Sequence, residues 1–316
     1  MAYTVVVTGG AGFIGSHISE RLLKEGHQVR VIDNLETGRQ LNLDALQAYD
    51  QFSFHNVSIT DAAALRPVFE GVDYVYHQAA LPSVFRSIDD PITSNEINIT
   101  GTLNVLMAAR DHGIKRVMYA ASSSAYGDIE GEFKLETMPA NPLSPYGVTK
   151  LAAEYYCQVF TEVYGLETVA LRYFNVFGAR QDETSHYSAV IPKFIIAMLK
   201  GQSPTIYGDG TQSRDFTYID NVVQGNLLAM TAPEIGGQMM NLATGGQVTL
   251  LELVQKLNDQ LGTQIEPIFT EPRKGEIKHS SADITKATDL LDYAPIVSFD
   301  EGLARTIAYY RRQLSG

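Results

Sequence analysis

Thr4-Val5-Val6-Val7-Thr8-Gly9-Gly10-Ala11-Gly12-Phe13-Ile14-Gly15 decides the fold: a β-branched run ends in a glycine-rich turn and passes straight into a helix-periodic segment, residues 17–26. The valines do not alternate with polar residues, as expected of a strand covered on both faces. Gly9, Gly12 and Gly15 allow a tight turn and let backbone N–H groups approach a pyrophosphate, which then sits at the positive N-terminus of the helix. Further on, residues 29–34 read Val-Arg-Val-Ile-Asp-Asn, a second strand closed by Asp33 eighteen residues after Gly15. That is close to the ~20 expected of a carboxylate that binds an adenosine ribose, so turn and carboxylate together predict a dinucleotide site. Asp33 repels a 2′-phosphate and no arginine directly follows it, which favours NAD over NADP; Arg39 argues the other way.

Outward from this unit, residues 72–80 and 116–124 repeat the pattern of an apolar run followed by a helical segment. Repeated βαβ units predict an α/β protein with a Rossmann-type doubly wound parallel sheet. Asp89 or Asp90 can cap a helix that starts at Pro91 and ends by Gly113, and Ser144 a second one from Pro145 to near Gly165. After Gly178 the alternation gives way to long loops with helices near 190–200 and 249–261. Long loops on a compact fold are usually functional. The expected organisation is an NAD-binding domain over residues 1–178 and a smaller C-terminal unit, 179–316, mainly for substrate, with later segments returning to the first domain.

Composition narrows the partners. With 316 residues, 45% hydrophobic and 19% charged, the chain has the balance of an ordinary folded protein. Lysine and arginine number 24 against 36 aspartates and glutamates, and the net charge of −12 repels nucleic acid. No run reaches the ~18 apolar residues of a membrane span, and no secretory signal is visible, so the expected location is cytoplasmic. The one cysteine, Cys157, forms no internal disulfide and reads as a core thiol. His77 reads as a structural strand-end residue and His279 as a loop residue, because neither has the spacing of a metal ligand.

Two positions past the Ser144 cap stands Tyr146-Gly-Val-Thr-Lys150. Residues i and i+4 share a helix face, so the Lys150 ammonium can sit near the Tyr146 phenol and near a bound ribose. A neighbouring positive charge is expected to lower the phenol pKa from its reference of about 10 and make Tyr146 a usable base. Upstream, Ser122-Ser123-Ser124-Ala125-Tyr126-Gly127 ends a strand at the carboxyl edge of the sheet, where ligands collect in open α/β folds.

Together with His77-Gln78-Ala79-Ala80, Arg172-Tyr-Phe-Asn175-Val-Phe-Gly and Gln212-Ser-Arg214-Asp215-Phe, these motifs resemble the extended short-chain dehydrogenase/reductases that act on nucleotide sugars. Within them the chain most resembles the UDP-hexose 4-epimerases, and the likeness covers nearly its whole length. The resemblance implies bound NAD, a UDP-sugar substrate and a catalytic trio of Ser123, Tyr146 and Lys150, with Ser124 as the alternative hydroxyl. For the cofactor it implies Gly9, Gly12, Phe13, Ile14 and Gly15 around the pyrophosphate and Asp33 and Asn34 at the ribose. Gln78, Ala79, Ala80, Asn98 and Phe174 would line the rest of the site. Ser58 and Ile59 occupy the adenine position, with a serine where a carboxylate is usual. For the substrate it implies Asn175, Arg214 and Arg273 at the diphosphate and Glu276 at the ribose, with Ser83, Arg86, Ser124, Val190, Tyr207 and Ser280 also lining the site.

The implied reaction oxidises C4 of the sugar, turns the 4-keto sugar over, and reduces it on the other face. Dehydratases and decarboxylases of similar fold carry an acid after the catalytic hydroxyl, whereas here Ser124-Ala125 follows Ser123. Ser280 falls at the position bordering the sugar 2-substituent, where a serine leaves room for an N-acetyl group. The substrate pair expected is thus UDP-GlcNAc/UDP-GalNAc, with UDP-glucose/UDP-galactose second. Arg86 points instead to a uronate carboxylate and a UDP-glucuronate 4-epimerase. A non-catalytic NAD-binding regulator is a further reading, against which the joint presence of Ser123, Tyr146 and Lys150 speaks. The resemblance also implies a homodimer through the helices after Pro91 and Pro145, and no metal.

Overall fold

The computed structural model describes residues 1–129, 131–182, 189–272 and 278–315. Six strands arise in the first part of the chain: β1 (Thr4–Thr8), β2 (Gln28–Asp33), β3 (Phe52–Asn56), β4 (Tyr74–His77), β5 (Arg116–Ser122) and β6 (Glu167–Tyr173). A seventh, Met239–Leu242, joins them, and all seven run parallel in the order Met239–Leu242, β6, β5, β4, β1, β2, β3. This is a Rossmann-like doubly wound sheet.

The valines of β1 explain the missing alternation. Val5 and Val7 pack with Ile18 and Leu22 of the Phe13–Lys24 helix on one face, and Val6 packs with Val105 and Leu106 on the other. All three are completely buried, and full burial of a valine contributes roughly 1.5–3 kcal/mol. After β3 the chain returns to place β4 on the other side of β1. Strand order reverses there, and the crevice that opens at the carboxyl ends of β1 and β4 is where such folds bind ligands.

Two caps position the site. Ser144 accepts from the Gly147 N–H at 3.1 Å and starts the Pro145–Tyr164 helix, which stops at Gly165 in the left-handed region. Asp90, not Asp89, caps Pro91 by accepting from Thr93 N at 3.0 Å. The helical run begun there is not uniform: Glu96–Gly101 winds as a π-turn before Thr102–Asp111 resumes the α-helix.

Beyond residue 178, the Ile219–Thr231 helix packs on the Phe13–Lys24 helix and leads into the seventh sheet strand. Among the described residues three small sheets complete the fold, including Ser213–Arg214 held between Val248–Thr249 and His279–Ser280. His279 therefore lies in a strand, not in a loop, where it shares a 2.7 Å hydrogen bond with Ser213. The short strand was hidden because two residues carry no periodicity. Among the described residues no helix is long and apolar enough to cross a membrane, and no three histidine, cysteine or acidic side chains gather as metal ligands.

Candidate active site

The glycine turn is built by contact. A Cβ on Gly15 would lie 2.2 Å from the Gly9 carbonyl oxygen, and one on Gly9, whose φ is +69°, would lie 2.6 Å from Ala79 N. No side chain fits at either place, so β1, the turn and the end of β4 close on one another. Gly12 is the N-cap of the Phe13–Lys24 helix and brings no capping side chain, and Phe13 and Ile14 form its first turn. The orphan N–H groups of that turn are left for an anion.

Beside the turn opens a cleft lined by Gly9, Asp33, Asn34, Ser58, Ile59, Ala79 and Ala80, together with Thr37, Val57, Leu81 and Ile97. Asp33 is nearly buried. Its two oxygens accept from Ala11 N at 3.0 Å and Leu35 N at 2.8 Å, while burial raises its carboxyl pKa. Ser58 shares a 2.8 Å hydrogen bond with Thr60. The Gln78 side-chain nitrogen is buried without a partner among the described residues, and its oxygen accepts from Tyr173 at 3.1 Å. A cleft whose wall mixes apolar side chains with a carboxylate fits an adenosine diphosphate-type cofactor. Thr37, Val57, Leu81 and Ile97 escaped the sequence reading because nothing in an apolar or loop residue marks it as lining.

Behind the cleft a hydrogen-bond chain links the two halves of the site. His77 is buried and its pKa is pushed down to about 3 by desolvation, so the ring is neutral. It bonds Thr8 at 2.7 Å and Thr102 at 2.8 Å, and Thr102 donates to the Asn98 carbonyl at 2.7 Å. The Asn98 amide, on the π-turn, accepts from Leu81 N at 2.7 Å and donates to Thr149 at 3.0 Å, while Thr149 donates to the Tyr146 carbonyl at 2.9 Å. Asn98 thus braces the cleft wall against the Pro145–Tyr164 helix. Tyr146 is further held by its N–H donating to Ser87 at 2.9 Å.

The structure departs from the sequence reading at the catalytic hydroxyl. Of the three serines, the one whose hydroxyl acts on the Tyr146 phenol is Ser122, where the sequence reading has Ser123 with Ser124 as the alternative. β5 stays extended through Ser122, and Ser123 begins a 3-10 turn. The signal available in the sequence was the strand end itself, which faces the ligand crevice. The expected lowering of the phenol pKa is also reversed. Desolvation raises it, with the Ser122 hydrogen bond acting in the opposite sense. Lys150 is buried and its ammonium donates to the Ala120 carbonyl at 2.7 Å; burial pushes its pKa down to about 8.

In the C-terminal part, Ser280 and Arg214 are cross-strand partners, and Asp215 N donates to the Ser280 carbonyl at 2.7 Å. Ser280 is buried. Two residues on, Ala282 packs with Phe174, Tyr126 and Ala243, which ties this strand beneath the segment that follows the serine turn. Phe174 is itself wholly buried, so it supports the site from below. Asn175 has a positive φ of 21° and its carbonyl accepts from Thr217 N at 3.2 Å. Tyr207 ends a strand and Val190 begins the Val190–Leu199 helix, both half-buried. Ser83 caps the Val84–Asp89 helix, accepting from the N–H of Arg86 at 3.3 Å. Arg273 and Glu276 lie outside the described residues.

Sheet, glycine turn and Tyr/Lys helix define a dinucleotide-binding α/β enzyme. Residues 5–243 match the model of the NAD dependent epimerase/dehydratase family, and the chain belongs to that family. NAD is its cofactor. The chain is similar to the UDP-N-acetylglucosamine 4-epimerase of Methanobrevibacter ruminantium M1, solved with UDP-N-acetylmuramic acid: 40% identity, TM-score 0.94, covering 99% of each chain. It is similar to the UDP-glucose 4-epimerase of Thermotoga maritima, solved with UDP-glucose: 37% identity, TM-score 0.93, covering 98% of this chain and 99% of that one. The UDP-glucuronic acid 4-epimerase of Bacillus cereus, solved with UDP-glucuronic acid and NAD, matches at 34% identity and TM-score 0.92 over the same shares.

Proposed function

We propose that this UDP-sugar 4-epimerase acts by preference on UDP-N-acetylhexosamines, interconverting UDP-GlcNAc and UDP-GalNAc, with UDP-glucose and UDP-galactose as secondary substrates. Relatives named for three different sugars match at 34 to 40% identity, so the choice rests on this chain's own residues. The observation that carries it is Ser280, a small side chain in an enclosed position directly across from Arg214. With Arg214 on the diphosphate, the neighbouring strand faces the hexose. A serine there gives an acetamido group volume that a larger side chain would take away. Arg214 gives the forked donation that phosphate oxygens accept.

NAD, when bound, supplies a reversible hydride acceptor beside C4. The protein's own residues do the rest. Tyr146 removes the proton of the 4-hydroxyl and returns it, Ser122 donates to the phenol oxygen, and Lys150 holds positive charge on the strand beneath. The Asn98–Thr149 brace keeps the catalytic helix in register with the cofactor cleft.

The protein works as a homodimer in this reading. Ile88 and Ile92, with Tyr155, Val159, Val163 and Tyr164 of the Pro145–Tyr164 helix, leave large apolar side chains in water. Apolar surface gathered on neighbouring helices marks an interaction site. The test of the sugar is a panel of UDP-GlcNAc, UDP-glucose and UDP-glucuronate given to the purified protein. The highest kcat/KM is expected for UDP-GlcNAc; a preference for UDP-glucuronate would favour Arg86 as the deciding residue instead.

A further inference from the structure

β5 ends at Ser122 in extended conformation, φ −147° and ψ 142°, and Ser123–Ala125 then make one 3-10 turn. The turn brings Ser124 back over Ser122. Its backbone N–H donates to Ser122 Oγ at 3.2 Å and its hydroxyl donates to the same oxygen at 2.8 Å. A serine hydroxyl has one proton and two lone pairs. Both lone pairs of Ser122 are therefore filled from its own chain, which leaves its proton to donate, and the Tyr146 phenol lies close enough to feel that hydroxyl.

We propose that Ser124 is a positioning residue: by filling the second lone pair of Ser122, it forces the Ser122 proton onto Tyr146 Oη and bars Ser122 from relaying protons between sugar and tyrosine. This rests on the reading of Tyr146 as the base of a 4-epimerase. With Ser122 only able to donate, one lone pair of the Tyr146 oxygen is always occupied and the other faces the substrate. In the oxidising half-reaction the O4–H bond breaks and its proton goes directly to the phenolate. The electron pair of the O4–H bond becomes the carbonyl bond, and the C4 hydrogen would leave with its pair to NAD when that cofactor is held in the cleft. In the reducing half-reaction the same proton returns from the phenol, which has not spent it on Ser122. The three-serine run thereby has a division of labour: Ser122 touches the base, and Ser124 sets the direction in which Ser122 donates.

The test compares Ser124→Ala with Ser124→Thr, which restores a hydroxyl. One hydrogen bond is worth about tenfold in an equilibrium, so Ser124→Ala should lower kcat by roughly tenfold with KM and bound NAD unchanged. Because a weaker donor supports the phenolate less, the acidic limb of the kcat profile should move to higher pH, and Ser124→Thr should return both quantities toward the parent. A second readout does not need turnover: the ultraviolet titration of the Tyr146 phenol, taken as the difference between each protein and its Tyr146→Phe counterpart. It should shift upward in Ser124→Ala alone. A Ser124→Ala protein whose phenol titrates as in the parent overturns the proposal. If the parent turns over no UDP-sugar, the epimerase reading fails separately, and the titration still decides the role of Ser124.

Discussion

The ammonium of Lys150 donates to the carbonyl oxygen of Ala120 at 2.7 Å, which fixes it to the strand that delivers Ser122. A buried charge held by one carbonyl is costly, and burial pushes its pKa from 10.5 to about 8. Between those values the unfolded chain holds a proton that the folded chain has released, so this group makes stability rise with pH across that window. Below pH 8 its cost is present in full, on the order of 3 kcal/mol. Lys150→Met should therefore melt no lower than the parent at pH 7 while losing turnover, and parent activity should decline above pH 8 as the ammonium deprotonates. Melting curves and rates across pH check both; a Tm several degrees below the parent would refute the strain.

Tyr146→Phe should keep NAD and UDP-sugar bound and lose at least the ~10²–10⁴ in turnover typical of general acid–base catalysis. Ser122→Ala should cost far more than Ser123→Ala, because Ser122 is the serine that meets the phenol. Equal losses in the two serine variants would put the hydroxyl back in doubt.

The difference between those serines marks how far the sequence is legible. The glycine turn, Asp33 and the Ser144-Pro145 cap were readable because each is a local rule: a close approach, a strand-end carboxylate, a satisfied N–H. The choice among Ser122, Ser123 and Ser124 depends on the residue at which β5 gives way to a 3-10 turn, and a shift of one residue exchanges the inward and outward side chains. The raised pKa of Tyr146 was out of reach because it comes from burial by distant segments. The π-turn at Glu96–Gly101 left no trace either, although it carries Asn98, whose amide joins the cofactor cleft to the Pro145–Tyr164 helix.

Ser280→Tyr tests the sugar pocket. Because Ser280 is enclosed, a phenol there must displace either its neighbours or the substrate. It should lower kcat/KM for UDP-GlcNAc far more than for UDP-glucose, shifting the preference by more than the roughly 1–3 kcal/mol that a single methylene controls. An unchanged ratio of the two specificity constants would remove the main support for an N-acetylated substrate.

The proposed dimer predicts its own disruption. Val159 and Val163 stand exposed on the outer face of the Pro145–Tyr164 helix, one turn apart. Glutamate at both positions should convert a dimer into a monomer in sedimentation at micromolar concentration without unfolding it, since neither side chain packs in the core. A parent protein that sediments as a monomer would contradict the interface.

The most direct test of the central claim is to incubate the purified protein with UDP-GlcNAc, without added NAD, and to follow both sugar products and NADH absorbance. Epimerisation returns the hydride to the same molecule, so many equivalents of UDP-GalNAc should form with no net NADH. A rise in NADH in proportion to the UDP-sugar consumed would contradict the account, because it would make the protein a dehydrogenase.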